Sequence, residues 1–161
     1  LSTQDGVYEP NKFEDAKIDF RQNDITLQSI MGYFRNRVDP KIPMNKRLDL
    51  DEKSKIFIYI NGHGGDFYWK IQDTEAILSY EMGKIFEEFN FKKEYGRILF
   101  ISDSCSSFTI FDEIEAPNMY MIGSSLIEEF AFSNGRDPVL DTSKTDKFTY
   151  YSESYLEKNG E

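Results

Sequence analysis

Three short apolar runs and two helical stripes organise the chain. Lys55-Ile56-Phe57-Ile58-Tyr59-Ile60-Asn61 lacks regular alternation and predicts a strand over 55–61, buried on both faces. Arg97-Ile98-Leu99-Phe100-Ile101-Ser102 predicts a second buried strand, and Asn118-Met119-Tyr120-Met121-Ile122-Gly123 a third. Leu27, Ile30, Met31 and Phe34 recur at helical spacing behind the capping candidates Asp24 and Thr26, which places a helix at about 26–36. Leu78, Met82, Ile85, Phe86 and Phe89 form a longer stripe, a helix over about 75–92 capped by Asp73 or Thr74. Phe148, Tyr151 and Tyr155 mark a closing helix, and residues 106–113 a short one. Ile18-Asp19-Phe20-Arg21 alternates as a short strand would, and 67–72 reads as an extended arm. The polar residues 1–16 predict an irregular lead-in. Residues 38–54, with Pro40 and Pro43, and the Gly-, Pro- and Asp-rich 133–144 predict loops.

Strand, helix, strand, short helix, strand, helix is an α/β alternation that implies a mostly parallel sheet flanked by helices on both faces. One helical crossover joins the strands at 55–61 and 97–102, so they are expected to be neighbours. With 161 residues, 39% hydrophobic and 16% aromatic, residues 1–161 are expected to form a single domain with a packed core. The net charge of −10 repels phosphate backbones, which argues against nucleic acid and anionic membrane surfaces as partners. The longest apolar run, within 56–60, is strand-sized and far short of a membrane span. A start at Leu1 followed by polar residues shows no signal peptide. The expectation is a piece of a longer product whose targeting segment or anchor lies elsewhere.

The chain has one histidine and one cysteine, and each directly follows a predicted strand: His63 in Asn61-Gly62-His63-Gly64-Gly65-Asp66, and Cys105 in Ser102-Asp103-Ser104-Cys105-Ser106. The carboxyl ends of parallel strands are where catalytic groups collect, and a thiol and an imidazole there can form a nucleophile–base pair. Cys105 sits in a small polar turn rather than an apolar stripe, and the amides of a following helix would favour a thiolate. The glycines around His63 allow close approach of a substrate backbone and leave the Gly64 amide to donate to an oxyanion. The bland alternatives are an inert buried cysteine and an exposed turn histidine. Zinc held by His63 with Asp66 or Asp73 is too loose a set to favour, and a single cysteine excludes an internal disulfide and a multi-cysteine zinc site. No metal or other cofactor is expected. Asp103 would point to the same face as Cys105 and shape a substrate pocket or cap the turn. Ser124 and Ser125 end the third strand at the same edge, as wall or backbone-binding elements.

These motifs resemble a family. A strand ending Gly-His-Gly-Gly-Asp, then Gln72-Asp73-Thr74-Glu75, then a strand ending Asp-Ser-Cys, resembles the catalytic subunits of glycosylphosphatidylinositol (GPI) transamidases, legumain-like cysteine peptidases of the caspase-like fold. Ile18-Asp19-Phe20-Arg21 with Asp24-Ile25-Thr26-Leu27, then Arg35-Asn36-Arg37, Asn45-Lys46-Arg47-Leu48, Ala116-Pro117-Asn118, Ser124-Ser125 and Asp146-Lys147-Phe148-Thr149-Tyr150-Tyr151 follow in family order, so the likeness runs from 18 to 157. It implies His63 as general base, Cys105 as nucleophile, and the amides of Gly64 and Cys105 as an oxyanion hole. To the strand-end residues Asp103, Ser124 and Ser125, read above as substrate-binding by position, the likeness adds Asp146, which matches a position near the legumain-type substrate pocket. The implied reaction cleaves the C-terminal signal of precursor proteins through a cysteine acyl-enzyme and passes the acyl group to the ethanolamine amine of a GPI lipid. The implied partners are those precursors, the lipid and the other transamidase subunits, on the lumenal side of the endoplasmic reticulum. A legumain-like endopeptidase and a non-catalytic caspase-like subunit are the alternatives. The chain departs from the family pattern at Ser106, where glutamine is usual, and at Ile127-Glu128-Glu129-Phe130. The family's opening strands have no counterpart before Leu1.

Overall fold

The apolar runs assemble into a parallel sheet flanked by helices. The computed structural model describes residues 18–35, 47–48, 50–72, 74–139 and 141–160. Strand β1 (Lys55–Asn61) is followed by a small antiparallel sheet of β2 (Gly64–Gly65), β3 (Tyr68–Ile71) and β4 (Glu75–Leu78). Next come β5 (Arg97–Asp103) and β6 (Met119–Gly123), and the parallel sheet has the order β1-β5-β6. Ile56 pairs with Ile98 and Asn61 with Asp103, while Ile98 pairs with Met119 and Ser102 with Gly123. The strands expected to be neighbours are neighbours.

One face of this sheet makes the core. Ile58, Ile60, Ile98 and Phe100 pack with Met82, Ile85, Phe86 and Phe89 of helix α2 (Ser79–Lys92), all buried. The Phe86 ring lies 5.8 Å from Phe89 and 5.7 Å from Phe100, which in turn lies 5.0 Å from Phe111. Each such side chain contributes roughly 1.5–3 kcal/mol on leaving water. Helix α1 (Leu27–Phe34) adds its stripe Leu27, Ile30, Met31 and Phe34 to the same cluster, and its start is fixed by a reciprocal Thr26–Ser29 capping box. The other face of β1 is open, with Phe57 66% and Tyr59 41% exposed, which corrects the expectation of a strand buried on both faces. Apolar residues on both sides had hidden the alternation.

Three further expectations change. Residues 75–78 form β4 rather than the first turn of a helix, because Tyr68–Ile71 offers them an antiparallel partner and Ile77 fills the core from that strand. The helix therefore starts at Ser79, where the Glu81 carboxylate accepts the Leu78 N–H at 2.9 Å. The capping candidate Asp73 lies outside the described residues. Residues 18–21 join no sheet and lead into a 3-10 turn at Gln22–Asp24. Residues 133–144 are no loop: β7 (Ser133–Asp137) and β8 (Thr142–Asp146) form an antiparallel hairpin whose polar residues on both faces give no hydrophobic signature. The lead-in 1–16, and residues 38–46 and 49 of the expected 38–54 loop, lie outside the described residues.

Residues Asp19–Phe130 form one compact unit, and Ala131–Glu161 belongs to a second. In the second, α3 (Lys147–Asn159) follows β8 directly, and the Lys147 N–H donates to the Phe132 carbonyl at 2.8 Å. No described helix is long and apolar enough to cross a membrane.

Candidate functional site

Register alone brings the two singular residues to one place. Asn61 and Asp103 are paired on adjacent parallel strands, and His63 and Cys105 each follow two residues later, so both chains leave the sheet at the same carboxyl edge. Beyond the last pair the chains stay in contact. The Gly62 N–H donates to the Asp103 carbonyl at 3.2 Å, with Gly62 at φ +150°. A Cβ on Gly64 would lie 2.6 Å from Ser104 Oγ and 3.0 Å from the Cys105 carbonyl oxygen. The hairpin that follows His63 therefore leans directly on the cysteine turn, and only glycine permits that approach.

His63 itself is exposed, with its carbonyl accepting the Lys70 N–H at 2.8 Å. That bond makes Gly64 and Trp69 a non-hydrogen-bonded pair of the antiparallel ladder, so the Gly64 N–H points away from β3. Cys105 is a half-buried free thiol. The next residue, Ser106, is buried in the left-handed region at φ +47°, a conformation costing roughly 1–2 kcal/mol for a residue with a Cβ. Its N–H donates to the Glu129 carbonyl at 2.9 Å, and its Oγ accepts the Glu128 N–H at 3.1 Å. The turn is held, not loose.

The helix expected after Cys105 is a five-residue 3-10 segment, Ser107–Phe111. Its first amides do not turn back to the thiol. Ser125 Oγ accepts the Ser107 N–H and the Ser125 carbonyl accepts the Phe108 N–H, each at 3.0 Å. The helix-dipole argument for a thiolate loses its donors to this neighbour.

Ser125 is thus a buried strut. Its hydroxyl also donates to the Ser104 carbonyl at 2.7 Å, and its N–H donates to Ser107 Oγ at 3.0 Å. Ser124 is half-buried at the end of β6, its N–H donating to the Ser102 carbonyl at 3.0 Å. Asp103 is only 2% exposed and accepts hydrogen bonds from the Tyr59 hydroxyl at 3.4 Å and Asn61 Nδ2 at 3.3 Å. The strand ends thereby bring together His63, Gly64, Asp103, Cys105, Ser124 and Ser125. Asp146 belongs to the other unit, where it ends β8 and precedes α3. Among the described residues, no group of three His, Cys, Asp or Glu side chains is arranged to hold a metal ion.

Comparison with known proteins matches residues 5–160 to the Peptidase C13 family. The GPI-anchor transamidase of Mus musculus is 33% identical over 145 residues, covering 90% of this chain and 37% of that protein. The GPI-anchor transamidase of Saccharomyces cerevisiae is 34% identical over 145 residues, covering 90% of this chain and 35% of that protein. For the Schizosaccharomyces pombe GPI-anchor transamidase the values are 33% over 144 residues, 89% and 38%. The chain spans a little over a third of the length of these curated relatives, 35–38%.

Proposed function

The chain belongs to the Peptidase C13 family, and we propose that it carries the catalytic centre of a GPI-anchor transamidase, with Cys105 as nucleophile and His63 as general base. The observation that carries this reading is the exit of both residues from one edge of paired strands, with Gly64 packed against the Ser104 side chain and the Cys105 carbonyl. The Cys105 thiol gives its proton to His63, and the sulfur attacks the carbonyl carbon of the precursor protein. The oxyanion forms between the N–H groups of Gly64 and Cys105. Collapse breaks the C–N bond, and the departing amine takes the proton from the His63 imidazolium, leaving a thioester on Cys105. The ethanolamine amine of a GPI lipid then attacks the thioester, His63 takes its proton, and the thiol is restored. Ser124, half-buried at the strand end, lines the substrate, Asp103 supports the site from beneath through its bonds to Tyr59 and Asn61, and Ser125 holds the turn. Asp146 contributes to substrate binding by its likeness to the legumain-type pocket. The reading carries with it a lumenal endoplasmic-reticulum location and the other transamidase subunits as partners.

Hydrolysis is the second reading, and one observation favours it for the isolated chain. His63 is exposed and Cys105 only half-buried, so water reaches an acyl group placed there. The test presents a precursor peptide to the enzyme with and without an added amine and identifies the product. An amide in the presence of amine supports transfer, and a free acid in both cases supports a legumain-like peptidase. Cys105→Ala, Cys105→Ser and His63→Ala are expected to abolish both products and to leave the fold intact. Product formation by Cys105→Ala would overturn the nucleophile assignment.

A further inference from the structure

The sheet register sets His63 and Cys105 at one edge, but both lie two residues past the last strand pair, Asn61 with Asp103. Something beyond the ladder must fix one loop against the other. Besides the Gly62–Asp103 bond and the Gly64 contact, one buried hydroxyl ties the two loops. Thr109, 4% exposed, accepts the Phe67 N–H at 2.8 Å and donates to the Ser106 carbonyl at 2.7 Å, with the Gly65 carbonyl 3.5 Å away. Phe67 belongs to the hairpin that carries His63, and Ser106 to the turn that carries Cys105.

The two residues it joins share a second property. Phe67 at φ +66° and Ser106 at φ +47° are the left-handed non-glycine positions of their respective loops, between residues 62 and 68 and between 104 and 109. Such conformations persist only where surrounding bonds over-determine them. Phe67 is held at both ends, its carbonyl accepting the Ser79 N–H at 2.8 Å. Removing the Thr109 hydroxyl leaves the Phe67 N–H without this partner and frees the Phe67 turn, while the Ser106 turn keeps its bonds to the Thr109 N–H and to Glu129. The bond to Ser106 is buried and that to Phe67 partly buried, so losing the hydroxyl that makes both loosens the tie between the loops.

We propose that Thr109 is a positioning residue, whose hydroxyl clamps the His63 hairpin to the Cys105 turn and so sets the distance over which base and nucleophile act. The proposal rests on the cysteine–histidine reading above. Glu128 supplies a weaker brace, its N–H lying 3.1 Å from Ser106 Oγ and 3.3 Å from Asp66 Oδ1, and Thr109 substitution leaves it in place.

The experiment compares the full chain with Thr109→Val, which keeps the shape and loses the hydroxyl, and Thr109→Ser, which keeps the hydroxyl. Two measurements are made: hydrogen–deuterium exchange over 62–68, and the rate at which a peptidyl electrophile and plain iodoacetamide label Cys105 across pH. In Thr109→Val, exchange over 62–68 is expected to rise while β1 and β5 stay protected. Labelling by both electrophiles is expected to slow, that by the peptidyl one by about tenfold or more, with the pH profile approaching that of His63→Ala, because both need the thiolate. Thr109→Ser is expected to restore both. Unchanged exchange in Thr109→Val, failure of Thr109→Ser to restore it, or a labelling pH profile that stays native overturns the clamp. If His63→Ala labels as fast as the native chain, the cysteine–histidine reading itself fails and the positioning role falls with it. Raised exchange alone would then describe a fold contact.

Discussion

Alanine at Gly64 would place its Cβ 2.6 Å from Ser104 Oγ and 3.0 Å from the Cys105 carbonyl oxygen, so the His63 hairpin must move off the cysteine turn to admit it. Gly64→Ala is expected to cost about 1–3 kcal/mol of stability and to slow peptidyl labelling of Cys105 by about a hundredfold, read by denaturant unfolding and by mass spectrometry of the labelled chain. Native labelling would show that the approach has no bearing on chemistry. Tyr95 gives a prediction of another kind. Its buried hydroxyl donates to the Pro117 carbonyl at 2.9 Å, and burial raises its pKa above the ordinary 10.0. The unfolded chain therefore loses this proton first, so stability is full below pH 10 and declines as pH climbs past it. Tyr95→Phe should flatten that alkaline limb while costing about 1 kcal/mol at neutral pH, measured as urea midpoints across pH. At this scale the sequence made His63 and Cys105 legible, because each is single and each closes an apolar run. It did not single out Thr109. Ser102, Ser104, Ser106, Ser107 and Thr109 crowd one strand exit, and a run of small hydroxyls does not say which one bridges to another loop. That density, in a segment that turns out buried, was the available signal.

Helix α2 shows at the level of elements where pattern and packing part. Its apolar stripe was legible through to Lys92, and its end matches, with Lys93 left-handed at φ +55°. Its beginning was not, because Glu75-Ala76-Ile77-Leu78 suits a helix or a strand, and pairing with Tyr68–Ile71 decides between them. The β7–β8 hairpin was missed for the opposite reason, as its polar strands carry no alternation to read. Gly83, in the middle of α2, looks by propensity like a flaw that alanine would repair by up to about 1 kcal/mol. The packing reverses that sign. A Cβ on Gly83 would lie 2.2 Å from the Glu113 carbonyl oxygen, a backbone atom that cannot swing aside. Gly83→Ala is thus expected to destabilise the chain by about 1–3 kcal/mol, read as a lower denaturation midpoint. A higher midpoint would mean that the loop after the 3-10 segment yields to the helix.

Across the whole molecule the parallel sheet presents an uneven pair of faces. The parallel register puts Phe57, Leu99 and Tyr120 in one row and Tyr59, Ile101 and Ile122 in the next, on the face opposite the core. Phe57 is 66% and Tyr120 60% exposed, and β1 and β6 are the outer strands of the described sheet. An aromatic patch with open strand edges attracts like surfaces, while a net charge of −10 holds chains apart. The two forces respond oppositely to salt. Raising ionic strength from about 0.01 M to about 1 M shortens the screening length from about 30 Å to about 3 Å, which removes the repulsion and leaves the apolar attraction. The purified chain is therefore expected to stay dispersed at low salt and to associate reversibly at high salt, followed by sedimentation velocity at several concentrations. The double variant Phe57→Ser with Tyr120→Ser should blunt that association without lowering the unfolding midpoint, since neither side chain is part of the buried core. Association that weakens with salt would identify charge pairing as its source, and a fall in midpoint would show that the two rings support the fold.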